Sequence, residues 1–158
     1  MELLFEKLTR DDSEKIHELQ VISFKALLDK YQDYETNPGA ETLERIKQRF
    51  DYLQVDHYFS KLHGEIIGYI RIAKQNEATY SLSQMFILPN HQGKGYAQQT
   101  ILQAELLYPQ AKNWSLDTIK QESKLCHLYE KMGYRQTGEE KQIQEGMDIV
   151  FYRKELAE

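Results

Sequence analysis

With 158 residues the chain is long enough to bury a core and short enough for one domain, which we place over residues 1–158. Hydrophobic residues make up 41% and charged residues 28%, which suits a soluble globular protein, and a net charge of −5 with no basic run argues against nucleic-acid binding. The lone Cys126 excludes an intrachain disulfide and no apolar run reaches a membrane span, so a cytoplasmic setting is expected, with neither nucleic acid nor membrane as partner.

Met1-Glu2-Leu3-Leu4-Phe5 runs at once into charges and does not read as a signal peptide. Leu3 to Leu8 reads as a short first strand. Thr9 to Ser13 offers helix caps, with Glu14 in the first turn, and Ile16, Leu19, Ser23, Ala26 and Leu27 recur near helical spacing to about Lys30. A polar, aromatic loop follows over Tyr31 to Thr36. Asn37-Pro38 then predicts a second helix start, with Leu43, Ile46 and Phe50 on one face.

From Asp56 the period shortens. His57 to Leu62 and Glu65 to Ile72 read as two strands joined by the two-residue turn His63-Gly64. After the turn Gln75-Asn76-Glu77, Thr79 to Leu88 reads as a third strand. Its alternation breaks around Gln84-Met85-Phe86, which a bulge or full burial would each explain.

Pro89-Asn90-His91-Gln92-Gly93-Lys94-Gly95-Tyr96-Ala97 joins this strand to a helix that Pro109 stops. A strand, a glycine-rich turn and a helix start together make an anion site, because free N–H groups and the helix dipole converge there. Gly93 and Gly95 admit close approach, and Lys94 adds charge. The P-loop pattern fails at Tyr96, where Ser or Thr is required, and the dinucleotide fingerprint fails at Gln98, where the third glycine belongs.

Trp114 to Ile119 reads as a short core strand broken by Asp117. Leu125, Leu128, Tyr129 and Met132 fit a helix face, with Gly133 as its C-cap. Tyr134 to Thr137 and Met147 to Tyr152 read as two last strands across a polar loop. Helices between strands favour parallel pairing and hairpins favour antiparallel pairing, so an α/β (α+β) chain with a mixed sheet is expected.

Two segments carry a resemblance. Gln92-x-x-Gly95-x-Ala97 resembles the Q/R-x-x-G-x-G/A signature of the GNAT superfamily of acetyl-CoA-dependent N-acetyltransferases, and Leu128-Tyr129-Glu130-Lys131-Met132-Gly133-Tyr134 resembles the family's L-Y-x-x-x-G-F/Y motif. Their order and separation also match. The resemblance implies the GNAT fold, a mixed, mostly antiparallel twisted sheet of about seven strands flanked by four helices. It also implies direct transfer of acetyl from acetyl-CoA to an amine, without a metal. Met85, Phe86 and Ile87 would pair with the pantetheine arm, and the backbone of Gln92, Gly93, Lys94, Gly95, Tyr96, Ala97 and Gln98 would surround the pyrophosphate.

By the same resemblance Tyr129 is the general-acid candidate, since a phenol with a reference pKa near ~10 keeps its proton at neutral pH. A core tyrosine would look the same on spacing alone. The glutamate that some members use as base falls at Ser81, which cannot serve, so Asp117 on the next strand becomes the candidate base or ammonium partner. A strand-end aspartate bonded to backbone N–H groups is the bland alternative. Where many members carry a coenzyme-binding asparagine this chain has Glu122, which must turn away or be replaced by Ser123 or Lys124.

The acceptor region of the fold maps onto the first two helices and their connection, where Phe24, Tyr31, Asp33, Tyr34, Glu35 and Asn37 would suit an amine with an apolar or cationic body. The acidic net charge leans the same way. A small amine, a peptide N-terminus and a lysine side chain all remain open as acceptors. Cys126 reads as packing, and His57 and His63 lack metal-ligand spacing. The last strands could pair with a second copy to form a homodimer. An acyl-CoA-binding regulatory module on the same fold, with weak or no catalysis, is the alternative, motivated by Ser81 and Glu122.

Overall fold

The computed structural model describes residues 3–156, so Met1 and Glu2 of the segment read as no signal peptide lie outside the described residues. The strands are β1 (Leu4–Lys7), β2 (Val55–Leu62), β3 (Glu65–Lys74), β4 (Thr79–Ile87), β5 (Asn113–Ile119), β6 (Arg135–Gln144) and β7 (Met147–Glu155). The helices are α1 (Ser13–Tyr31), α2 (Leu43–Arg49), α3 (Tyr96–Leu107) and α4 (Ser123–Lys131). One sheet runs in the order β1-β2-β3-β4-β5-β7-β6, with β4–β5 parallel and every other pair antiparallel.

Strand alternation sorts the core into two layers. Ile70, Ile72, Tyr80 and Leu82 pack with Trp114, Val150 and Tyr152, and with Ile101 and Ala104 of α3. Cys126, Leu128 and Tyr129 bring α4 onto this face. Phe59, Tyr69 and Phe86 point the other way, against Ile16 and Leu19 of α1 and Ile46 of α2. Between β2 and β3, His63 and Gly64 both have positive φ, as a two-residue hairpin of type I′ requires.

Three expectations change. Asn37 caps only the short 3-10 turn Pro38–Ala40, accepting from Gly39 N at 2.7 Å. Extended backbone at Glu41 ends that turn, and Thr42 caps α2 instead. The polar loop expected after Thr137 is mostly strand, because β6 pairs with β7 along one edge while most of its residues face water, so no apolar pattern marks it. The β4 bulge lies at Ser83, between the partners of Ile72 and Arg71, slightly ahead of the expected position.

Gly68 holds β3 close to β4. A Cβ there would lie 2.5 Å from the Phe86 carbonyl oxygen and 2.9 Å from Ile87 Cδ1. We expect Gly68→Ala to push β4 aside and cost about 1–3 kcal/mol, the range for overpacking. Urea denaturation would read this as a lower midpoint at an unchanged slope.

Candidate active site

β4 and β5 pair only over Thr79–Ser81 and Asn113–Ser115. Past that point they splay, and the β4 edge from Leu82 to Ile87 has no strand partner on the β5 side. An open backbone edge can pair with an extended ligand. A cavity of about 890 Å³ fills the gap, and Met85, Phe86 and Ile87 line it.

At the end of β4 the chain makes the short turn Pro89–His91 and enters the glycine loop. Gln92 donates from Nε2 to the Ile87 carbonyl at 2.9 Å, so its side chain fastens the loop to the strand. Gly93 and Gly95 have φ of 76° and 84°, and Gly95 is the N-cap of α3. The first intrahelical bond runs from Gln99 N to Gly95 O, so the amides of Tyr96, Ala97 and Gln98 precede it. These residues and both glycines line the cavity. The Lys94 side chain is not on its wall, whereas Lys124 of α4 is.

Tyr129 of α4 and Asp117 of β5 both line this cavity, close enough for the Asp117 charge to act on the phenol. The ring of Tyr129 packs 6.3 Å from both Tyr134 and Tyr152, and no residue among those described bonds to its hydroxyl. Burial first, then the nearby Asp117 charge and Cys126, push its phenol up to about 12. Asp117 touches water through the cavity, yet the protein atoms crowding it strip enough solvent to raise its carboxyl above the ordinary range. No backbone bond caps its side chain among the described residues, unlike the bland alternative. Cys126 Sγ lies 3.7 Å from the Ile119 carbonyl oxygen, turned toward β5, which fits packing.

Glu122 is turned away and neutralised. It accepts from Lys30 Nζ at 2.7 Å and from the Tyr31 hydroxyl at 2.6 Å, which ties the start of α4 to the end of α1. Tyr31 is therefore occupied and does not line the cavity, and Tyr34 is 66% exposed. Asp33 is buried and caps its own turn through Glu35 N and Thr36 N. Of the acceptor candidates, Phe24 and Asn37 reach the wall.

Two arginines not predicted from the sequence stand there instead. Arg49 grips both oxygens of Glu41 with its two terminal nitrogens, and Gln20 adds a bond to Glu41 at 3.0 Å. Arg71 of β3 lines the same end of the cavity. Its sequence signal is an arginine within an apolar strand, two residues beyond the core Tyr69 and therefore on the same face. His57 beside them is buried, and burial followed by the Arg71 and Arg49 charges lowers it to about 4, so it is neutral near pH 7.

The family model for the acetyltransferase (GNAT) domain matches residues 28–156. No curated protein sequence gives a significant match. Among solved structures, an acetyltransferase from Thermus thermophilus superposes with a TM-score of 0.76 at 16% identity, covering 99% of this chain and 98% of that one. The PaiA N-acetyltransferase of Thermoplasma acidophilum, in complex with coenzyme A, gives 0.72 at 17% identity, covering 99% and 100%. A chimera of spermidine N-acetyltransferase SpeG from Vibrio cholerae and hSSAT gives 0.76 at 21% identity, covering 98% and 96%. At these identities the structural likeness carries the fold.

Proposed function

The chain belongs to the GNAT acetyltransferase family, and on that premise we propose that it moves an acetyl group from acetyl-CoA directly to a primary amine within a ternary complex. One observation carries the reading: a single cavity joins an unpaired β4 edge, a glycine-capped helix start, a phenol and a carboxylate. The β4 edge at Met85, Phe86 and Ile87 suits the amides of a pantetheine arm. The amides of Tyr96, Ala97 and Gln98 suit a pyrophosphate, with Lys124 as a further cation.

In this reading Asp117 meets the acceptor ammonium and takes its proton, directly or through water, and the free amine attacks the thioester carbonyl. As the C–S bond breaks, the Tyr129 hydroxyl faces the sulfur. A phenol held near 12 is a weaker acid than an ordinary thiol of about 8.5, so Tyr129 acts chiefly as a hydrogen-bond donor to the developing thiolate. Relatives named for spermidine and other N-acetylation make a small amine the natural acceptor class.

No helix among the described residues is long and apolar enough to cross a membrane. We place the enzyme in the cytoplasm, where the lone Cys126 would stay reduced. The exposed strand β6 offers an edge to a second copy. The deciding assay supplies acetyl-CoA and a broad panel of amines, and follows both thiol release and the mass of the product. We expect amine-dependent thiol release with matching acetylated product. Coenzyme binding without any release above background would leave a coenzyme-binding module instead.

A further inference from the structure

We propose that the acceptor amine also carries a carboxylate, which Arg71 binds at the inner end of the cavity. This rests on the acetyltransferase reading and deepens it. Arg71 sits opposite His57 of β2 and Gln84 of β4, on the sheet face covered by α1 and α2. Its charged and titratable neighbours are Tyr69, Arg49, Glu41 and His57.

Glu41 alone opposes its charge, and it does so without forming an ion pair. Glu41 is the only carboxylate of the group, and Arg49 already engages both of its oxygens. Among the described residues no carboxylate forms an ion pair with Arg71. The Tyr69 hydroxyl interacts with Arg71 and pairs with His57 Nδ1 at 2.7 Å, but neither the phenol nor His57 carries a charge. Two guanidinium groups against one carboxylate leave one positive charge, and Arg71 is the one that faces the cavity without a counterion. Burial lowers its pKa, the sign of a guanidinium held out of water.

A desolvated guanidinium that touches the Tyr69 hydroxyl but has no carboxylate paired with it is, in a ligand cavity, a site for an anion of matching planar shape. Ser23 supplies a second group. Its hydroxyl is buried without a partner and lines the same cavity, one helical turn from Gln20, which bonds to Gln84 at 2.8 Å beside Arg71. Of the carboxylates expected to recruit a cationic acceptor, Asp33 caps its own turn and Glu35 is exposed, and neither lines the cavity. An amino-acid-like acceptor fits this end of the cavity, with its carboxylate on Arg71 and its amine directed toward Asp117 and the thioester.

The test compares α-amino acids with their carboxamides and with the corresponding decarboxylated amines, as matched acceptors under saturating acetyl-CoA. The acids should be preferred at least about 10-fold in kcat/KM, mostly through acceptor KM, because a site built to bond a group rejects analogues that lack it. Arg71→Gln should erase that preference, and Arg71→Lys should keep part of it, with unchanged coenzyme binding reporting an intact fold in both. Equal or better turnover of the decarboxylated amines overturns the inference while the acetyltransferase reading stands, as does a preference that survives Arg71→Gln. Should no amine be acetylated, calorimetry of the same amino acids on the CoA-loaded protein decides. Binding lost in Arg71→Gln supports the carboxylate site, and no binding, or binding indifferent to the substitution, overturns it.

Discussion

Replacing Tyr129 with Phe is expected to lower kcat by about 100-fold or more, within the range for losing a positioned proton or hydrogen-bond donor. The structure makes this a clean substitution. The hydroxyl bonds to no described residue, so its loss leaves no buried partner stranded, and the ring keeps its contacts with Tyr134 and Tyr152. Acetyl-CoA affinity and the denaturation midpoint should therefore stay near wild type. A loss of kcat smaller than about 3-fold would return Tyr129 to a packing role. Asp117→Asn separates the second function by pH. In the proposed mechanism Asp117 acts as the carboxylate, and desolvation raises its pKa, so activity should fall as pH drops through that raised value. The amide variant should lack this acid limb and be slow at every pH.

The second large effect is expected at Gly95. Its φ of 84° costs an alanine roughly 1–2 kcal/mol, and no atom lies within 4 Å of the added Cβ. The penalty is therefore conformational, and it is relieved by moving the loop whose amides face the cavity. Gly95→Ala should raise the KM for acetyl-CoA about 10-fold or more, with kcat at saturation little changed. Lys94→Ala is the informative companion. Its side chain is off the cavity wall, so its effect should stay within about 3-fold if backbone amides, rather than a surface charge, hold the phosphates. A reversed ranking, with Lys94→Ala the more damaging, would assign the anion to the side chain.

The element order was legible because each strand and helix advertises its own period, and the glycine loop because its two positive-φ positions require glycine locally. The continuation of β6 past Thr137 was not, since an edge strand facing water needs no apolar alternation. At the acceptor end the sequence pointed to carboxylates near Asp33 and Glu35. The fold turned Asp33 inward to cap a turn and brought Arg49 and Arg71 to the wall.

The division follows from how far each property reaches along the chain. By itself the sequence determined the strand, glycine turn and helix at Gln92 to Ala97, the helix carrying Tyr129, and with them the family, because these depend on residues a few positions apart. Only the tertiary structure decided that Glu122 is neutralised by Lys30, that β7 inserts between β5 and β6, and that Arg49 takes Glu41 and leaves Arg71 without a carboxylate of its own. Which charge finds which partner is set by distances across the folded sheet, where burial removes the water that would otherwise make every pairing nearly equivalent.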